Sequence, residues 1–252
     1  MSDLGDLFGF DEEPVEKEDV FAVIRSLTAA PCRDCPLGLL TPSNPGFLWR
    51  GNPNAAIAIL GDMPSAADMS ARKPFVGEQG LELAKWLRLA ELKDADVFIT
   101  SIVQCKTQIQ HSKKADKDGE PRTPHRDQES GVCFPSRALR VLKALPNLEV
   151  VILLGLFAAK IVLGGDPQVK SHCGFWFGSD ILPGKAIFVL QHPRDFDEKT
   201  GEEKRGRLKQ MFKFFRIEYF GLTQGGVEIV APKKVVKLLE LLSERRKAAR
   251  QF

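Results

Sequence analysis

The chain has 252 residues, of which 43% are hydrophobic and 27% charged, so it is long and apolar enough for one globular domain with a sizeable core. This composition excludes a fibrous or low-complexity chain, and a net charge of +3 leaves the kind of partner open. Five cysteines, no N-terminal apolar signal segment and no apolar run long enough to span a bilayer favour a cytoplasmic protein without disulfides or a membrane anchor.

The charged residues are unevenly distributed. Residues 1–19 are rich in Asp and Glu and predict an acidic flexible arm. Basic residues are concentrated in segments 106–126, 204–216 and 233–250. Without the arm, the rest of the chain is therefore distinctly basic. That is typical of proteins that bind a polyanion, although solvated helix faces would give the same clusters.

Alternating strands and helices follow the arm and predict one domain over residues 20–223. The first helix is predicted at residues 20–28, before Pro31. Four short, continuous and Ile- and Val-rich segments predict buried strands, at residues 55–60, 96–103, 149–154 and 186–190. Helical patterns follow the strands or lie between them, at residues 80–90, 136–145, 156–163 and 203–215. This order predicts an α/β fold, a three-layer α/β/α sandwich around a central, mainly parallel four-stranded sheet.

Residues 224–252 form the last predicted segment. Leucines and valines recur at helical spacing over residues 232–250, which predicts an amphipathic helix. Gly225 and Gly226 separate this helix from the domain. We expect it to pack on its own domain rather than on a partner.

Polar or glycine-containing turns follow three of the predicted strands. These turns are Gly-Asp-Met-Pro at residues 61–64, Thr100-Ser101, and Gln-His-Pro at residues 191–193. Ligands of parallel α/β sheets bind beyond the carboxyl ends of the strands. The three turns therefore predict a binding site at this edge of the sheet.

The cysteines predict a second site. Cys32 and Cys35 form a C-x-x-C pair ahead of the first strand, Cys105 follows the second strand, and Cys133 is expected to open the next helix. Four thiolates suit either a tetrahedral zinc ion or an iron–sulfur cluster, and the spacing alone does not choose between them. Four buried cysteines that bind nothing are the remaining interpretation, and Cys173 is interpreted as a small buried hydrophobic residue.

These motifs, in this order, resemble the family 4 uracil-DNA glycosylases, the iron–sulfur members of the uracil-DNA glycosylase superfamily. The resemblance covers about residues 32–220. It consists of the C-x-x-C pair, the Gly-Asp-x-Pro turn, Pro-Phe-Val-Gly at residues 74–77, the strand ending in Cys105, then Cys133 and His192-Pro193.

The resemblance implies a role for each matching position. Cys32, Cys35, Cys105 and Cys133 would hold a structural [4Fe–4S] cluster. Gly61 would line the pocket for the base. Asp62, the next residue, stands where the family has a glutamate that positions the attacking water. Phe75 matches the phenylalanine that stacks on the flipped base. His192 matches the histidine that bonds the pyrimidine oxygen.

Three features depart from the family pattern. Ser101 stands where the family has an asparagine that reads the uracil edge, and serine offers one hydroxyl in place of a planar amide. Asp62 is one methylene shorter than glutamate. The loop between Cys105 and Cys133 is longer than usual, and it carries His125, a second candidate for chemistry because one iron–sulfur branch of the superfamily bonds a loop histidine to DNA.

Three basic residues complete the predicted site as contacts to the DNA backbone. Arg194, Lys106 and Arg122 are predicted to contact DNA phosphates, which would make the affinity salt-dependent. Each site residue also has a simpler interpretation: Asp62 as a helix N-cap, Phe75 as a core aromatic and His192 as a residue that satisfies a turn.

Three functional hypotheses follow. The first is a DNA glycosylase of base-excision repair type that hydrolyses the glycosidic bond of uracil or a related modified pyrimidine. The second is a non-catalytic DNA-binding relative with an altered pocket, and the third is a cluster- or zinc-stabilised scaffold. We expect a monomer associated with the nucleoid. Residues 4–8 loosely resemble sliding-clamp-binding peptides, so the arm is predicted to bind a clamp or another repair protein, or else to pack on its own domain.

Overall fold

The computed structural model describes residues 18–29, 32, 35, 46–89, 92–106, 126–195, 223–224 and 227–228. The predicted acidic arm up to residue 17, the helix at residues 203–215 and the C-terminal helix lie outside these residues. In the part of the chain that is described, no helix is both long and apolar enough to cross a membrane.

Among the described residues, six strands form one mixed sheet, in the order β1-β3-β2-β4-β6-β5. The central strands β3, β2, β4 and β6 are parallel, whereas β1 and β5 pair antiparallel at the two edges. The strands are β1 (Arg50–Gly51), β2 (Ile57–Gly61), β3 (Val97–Ser101), β4 (Val150–Leu154), β5 (Trp176–Phe177) and β6 (Ala186–Leu190).

The four predicted strands are thus confirmed as the parallel centre of the sheet, but the expectation of a four-stranded sheet is corrected to six mixed strands. The two edge strands are each two residues long. Two residues are too few to show an alternating or continuous apolar pattern, so no pattern in the sequence marks them.

The central strands are apolar throughout because helices cover both faces of the sheet. All five residues of each of these strands are buried. In β2, Ala58 and Leu60 join one apolar cluster, while Ile57 and Ile59 join another on the opposite face. This period of two residues gives the sheet two cores, and the predicted three-layer architecture is confirmed.

The helices divide between the two faces. Residues of α1, α5 and α6 belong to the cluster on one face, and Leu83, Trp86 and Leu87 of α3 belong to the other. The helices are α1 (Val20–Ala29), α2 (Ala66–Ala71), α3 (Glu78–Leu89), α4 (Arg126–Cys133), α5 (Leu139–Ala144), α6 (Leu156–Leu163) and α7 (Val169–His172). A separate antiparallel pair, β7 (Thr223–Gln224) and β8 (Val227–Glu228), flanks the two predicted hinge glycines.

A π-helical turn, Phe134–Ala138, joins α4 to α5. Cys133 therefore ends α4, and the prediction that it opens a helix is wrong. Proline favours the first turn of a helix, yet Pro135 lies inside this continuous helical segment. Here the chain accommodates proline inside a longer helical segment by widening one turn.

The connections leave β2 and β4 in opposite directions. The chain passes from β2 to β3 through α3 on one face, and from β4 to β6 through α6 on the other. Since β2 and β4 are neighbours, their carboxyl ends border the crevice that such a switch in direction creates. This crevice is where a ligand of an open α/β sheet binds.

The buried sheet predicts a large difference between two apolar truncations. Ile99 in β3 is 0% exposed, so Ile99→Ala should lower the free energy of unfolding by about 2–5 kcal/mol. Leu81 on α3 is 65% exposed, so Leu81→Ala should change it by less than about 0.5 kcal/mol. Urea denaturation of both variants measures the difference, and equal losses would contradict this assignment of the core.

Candidate active site

Asp62 is the first residue beyond β2 and is only 1% exposed. Its backbone carbonyl accepts a hydrogen bond from the N–H of Val103, so the chain after β2 stays paired with the chain after β3. The N-cap of α2 is Ser65, whose Oγ accepts from the N–H of Asp68 at 3.2 Å. The interpretation of Asp62 as a helix cap is therefore wrong, and its carboxylate lies at the crevice instead.

Arg194 binds this carboxylate. Its Nη2 donates to Oδ2 of Asp62 at 3.0 Å, across 132 residues of sequence. The Asp62 side chain is 1% exposed and the Arg194 side chain 42% exposed. The pair thus joins a buried anion to a cation that keeps part of its hydration.

His192 lies beside the same carboxylate. The backbone N–H of Arg194 donates to its Nδ1 at 3.2 Å, so Nδ1 is the acceptor and Nε2 carries the proton of the neutral ring. This bond is the turn contact that the simpler interpretation of His192 describes, and the catalytic role of His192 stays a prediction. The ring is 2% exposed, and the turn bond orients it, so that Nε2–H is the donor group of the imidazole.

Gly155, the residue after β4, brings these two groups together. Its φ is +102°, and a Cβ at this position would lie 3.2 Å from Cβ of His192 and 3.3 Å from Oδ1 of Asp62. Only glycine leaves room for both side chains in this backbone conformation. In the sequence, Gly155 is visible only as a break in an apolar run; its position directly after a buried strand was the signal that could have identified it.

Phe75 closes the site from a third side. Its ring lies over Gly61, where any side chain would overlap with it, and its centroid is 6.3 Å from that of His192 at an angle of 33°. It also belongs to the core cluster on the α3 face, so it is a core aromatic whose ring borders the pocket. Its backbone has φ +56°, an uncommon conformation for a non-glycine residue.

Asp68 holds the loop that carries Phe75, a role that sequence reasoning missed. Oδ1 accepts the N–H of Val76 at 2.7 Å, and Oδ2 accepts the N–H and Oγ–H of Ser65, each at 2.8 Å. One buried carboxylate therefore ties the turn after Asp62 to the Phe75 loop. Serine followed three residues later by an acidic residue is a helix-capping pattern, and it was the available signal.

Ser101 pairs with Gly61 at the carboxyl ends of β3 and β2 and is 2% exposed. Its backbone carbonyl accepts from Nε2 of Gln104 at 2.6 Å, and Oε1 of Gln104 accepts the N–H of Leu48 at 2.8 Å. The backbone N–H of Gln104 donates to Sγ of Cys133 at 3.3 Å. Gln104, which no sequence pattern singled out, thus connects the predicted base pocket with the cysteines.

The four predicted cysteines belong to one apolar cluster or pack against it. Cys35, Cys105 and Cys133 are buried, and Cys32 is half-buried. Burial raises the pKa of the Cys133 thiol to about 12, opposed by the hydrogen bond from Gln104. Cys105 and Cys35 raise this pKa further, whereas Arg137 lowers it. Cys173 is buried at 2% exposure, as predicted.

The residue types suit a thiolate-bound metal group, because soft sulfur ligands from three segments belong to one apolar cluster or pack against it. Over the described residues, however, no group of three or more His, Cys, Asp or Glu side chains is arranged to hold a metal ion. Of the other predicted residues, Lys106 is exposed after β3, and Arg122 and His125 lie outside the described residues.

A family model described as the uracil DNA glycosylase superfamily matches residues 48–216, more than half of the chain. The chain belongs to the uracil DNA glycosylase superfamily. The segment that matches the superfamily model contains Asp62, Phe75, Ser101 and His192, whereas Cys32 and Cys35 precede it.

Three curated relatives carry the description type-4 uracil-DNA glycosylase. The protein of Pyrobaculum aerophilum is 29% identical over 64% of this chain and 77% of its own length. That of Thermotoga maritima is 25% identical over 64% of this chain and 76% of its own. That of Archaeoglobus fulgidus is 29% identical over 58% and 64%. The superfamily and these three relatives are all named for uracil-DNA glycosylase.

Gly155 allows a matched test of the site. Gly155→Ala should cost about 1–3 kcal/mol of stability through backbone strain and should also push apart Asp62 and His192, abolishing DNA base excision. Gly164 is the control, because its φ is +77° and a Cβ added there would meet no atom within 4 Å. Gly164→Ala should cost similar stability but retain excision, as measured by urea denaturation and oligonucleotide cleavage. Equal excision by both variants would contradict the site.

Proposed function

We propose that this protein hydrolyses the N-glycosidic bond of a flipped uracil, or a related modified pyrimidine, in DNA. The observation that carries the proposal is the convergence of Asp62 and His192 against Gly155, next to the ring of Phe75. A carboxylate, a neutral imidazole donor and an aromatic face at one crevice are the groups that this reaction needs. The superfamily membership supports the same conclusion.

Each group has a separate task in the proposed reaction. The base must first leave the stack, which costs a few kcal/mol, and stacking on Phe75 recovers about 1–3 kcal/mol of that cost. As the bond from C1′ to N1 lengthens, positive charge grows on the sugar and negative charge on the pyrimidine. Asp62 stabilises the sugar cation and orients the water that attacks C1′. His192 donates Nε2–H to the pyrimidine oxygen and stabilises the departing anion.

Ser101 limits how the base is read. Its backbone carbonyl accepts a hydrogen bond from Gln104, and its side chain can offer the base edge a single hydroxyl. One hydroxyl discriminates between pyrimidines less strictly than a planar amide does. This supports modified pyrimidines as additional substrates. It also keeps open the second hypothesis, a DNA-binding relative that excises nothing.

The four cysteines are proposed as ligands of a [4Fe–4S] cluster, with zinc as the alternative. Cys32 and Cys35 follow α1, Cys105 follows β3 and Cys133 ends α4. When bound, the cluster would supply a covalent cross-link between these segments and no chemistry at the base. Support comes from the type-4 description of the relatives and from the shared apolar surroundings of the sulfurs.

DNA is the proposed partner, and the remaining expectations stay predictions. Lys106, Arg122 and Arg194 are predicted phosphate contacts, and the basic segment after Cys105 would make binding salt-dependent. A monomeric state, a cytoplasmic and nucleoid-associated location, and binding of a sliding clamp or repair protein by the arm complete the proposal.

Single-turnover release of uracil from a labelled oligonucleotide tests the reaction. The wild-type protein should leave abasic sites, and Asp62→Ala should reduce the rate by at least about 100-fold, the usual contribution of a positioned catalytic group. Asp180→Ala is the control, because Asp180 is exposed in the turn before β6, at the opposite edge of the sheet. Binding without excision by the wild type would overturn the proposal in favour of the non-catalytic relative.

Colour and metal content test the cluster. The purified protein should be brown and contain iron, and Cys105→Ala or Cys133→Ala should remove both and lower solubility. Cys173→Ala removes a buried cysteine that is not a predicted ligand, so it should keep colour and iron. A colourless wild type that contains zinc would favour the alternative metal.

A further inference from the structure

We infer that Arg194 is the positioning residue of the active site, holding Asp62 and His192 in their working orientation, and that this role outweighs any contact with a DNA phosphate. The inference rests on the proposed function, because it concerns the same reaction. It differs from the sequence-based expectation, which placed Arg194 on the DNA backbone.

Two different groups of Arg194 hold the two proposed catalytic residues. The guanidinium Nη2 donates to Oδ2 of Asp62 at 3.0 Å, and the backbone N–H donates to Nδ1 of His192 at 3.2 Å. Residues Pro193–Asp195 form a 3₁₀ turn directly after His192, so both donors belong to one short, compact segment. A single residue thereby couples the chain after β2 to the chain after β6.

The arrangement directs the reactive atoms toward the crevice. With Oδ2 of Asp62 bound to the guanidinium, Oδ1 is the oxygen that lies against Gly155, next to the His192 ring. With Nδ1 of His192 accepting from the backbone, the proton is carried by Nε2. Both consequences match what the reaction requires of these residues, a directed carboxylate oxygen and a directed imidazole donor.

Burial explains why Asp62 needs this cation. The Asp62 side chain is 1% exposed, and a carboxylate removed from water is costly unless a cation and hydrogen bonds compensate for the lost hydration. Arg194 is 42% exposed, so the cation keeps part of its hydration when it forms the pair. A charge-assisted bond at 3.0 Å between such partners fixes the orientation of the carboxylate.

The two roles of Arg194 predict different kinetic effects. A phosphate contact contributes to affinity, so its loss weakens DNA binding and lowers the dependence of log affinity on log salt by about one unit. A positioning residue contributes to the chemical step, so its loss slows the bound complex. The single-turnover rate at saturating enzyme therefore reports the positioning role, and the dissociation constant of the DNA reports the phosphate contact.

The test compares Arg194→Met, Arg194→Lys and the wild type on a uracil oligonucleotide and on one with a tetrahydrofuran abasic site. Arg194→Met should slow the saturated single-turnover rate by about 10- to 100-fold, with less than about threefold weaker binding to the abasic-site probe and an unchanged salt slope. Arg194→Lys, which keeps the cation, should recover part of the rate. Arg140→Met, an exposed arginine on α5, is the control for removing one surface charge. An unchanged rate with weaker, less salt-dependent binding would overturn the inference.

Unfolding without DNA tests the pair independently of activity. Arg194→Met should lower the urea midpoint when Asp62 is present, and it should have little effect in an Asp62→Asn background, where no buried charge needs the cation. Equal effects in the two backgrounds would overturn the assignment of Arg194 to Asp62. A wild type that releases no uracil would instead overturn the proposed function, while the unfolding cycle would still decide the pairing.

Discussion

Parallel pairing of β2 with both β3 and β4 fixes where the groups of the site can lie. It places Gly61 opposite Ser101 and brings the chain beyond β2 next to the chain beyond β4. Because α3 and α6 leave toward opposite faces, this edge stays open between them. The crevice that results is lined by residues far apart in sequence. Asp62, Gly155 and His192 follow strands, whereas Phe75 lies on the loop that Asp68 holds.

Three glycines shape the site as much as the functional groups do. Gly61 leaves space for the Phe75 ring, Gly155 leaves space for Asp62 and His192, and Gly80 packs against the backbone of Phe75. A methyl group at any of these positions would displace a proposed functional residue. The glycines therefore let the functional side chains approach the backbone closely. The buried carboxylate of Asp68 holds the loop that carries Phe75 in place.

Polar side chains connect the pocket with the sheet and the cysteines. Thr100 donates to the carbonyl of Leu48, and Gln104 donates to Thr100 and Ser101 while its backbone reaches Cys133. All of these bonds are buried, and those to Leu48 and Cys133 cross 52 and 29 residues of sequence, so together they hold the end of β3 rigidly. If the cysteines carry a cluster, its cross-link and this network would support the same strand end.

Residue patterns alone were enough to predict the four central strands and the three layers, because these depend on local apolar runs. The resemblance to the glycosylase family, which rests on motifs a few residues long, pointed to Asp62, Phe75, Ser101 and His192. What those residues contact became clear only in the folded chain. The Asp62–Arg194 pair, the close approach at Gly155, the bond from Val76 to Asp68 and the bonds of Gln104 with Leu48 and Cys133 join atoms from separate segments. Their partners follow from strand order and backbone geometry, and a linear pattern of residue types carries no information about either.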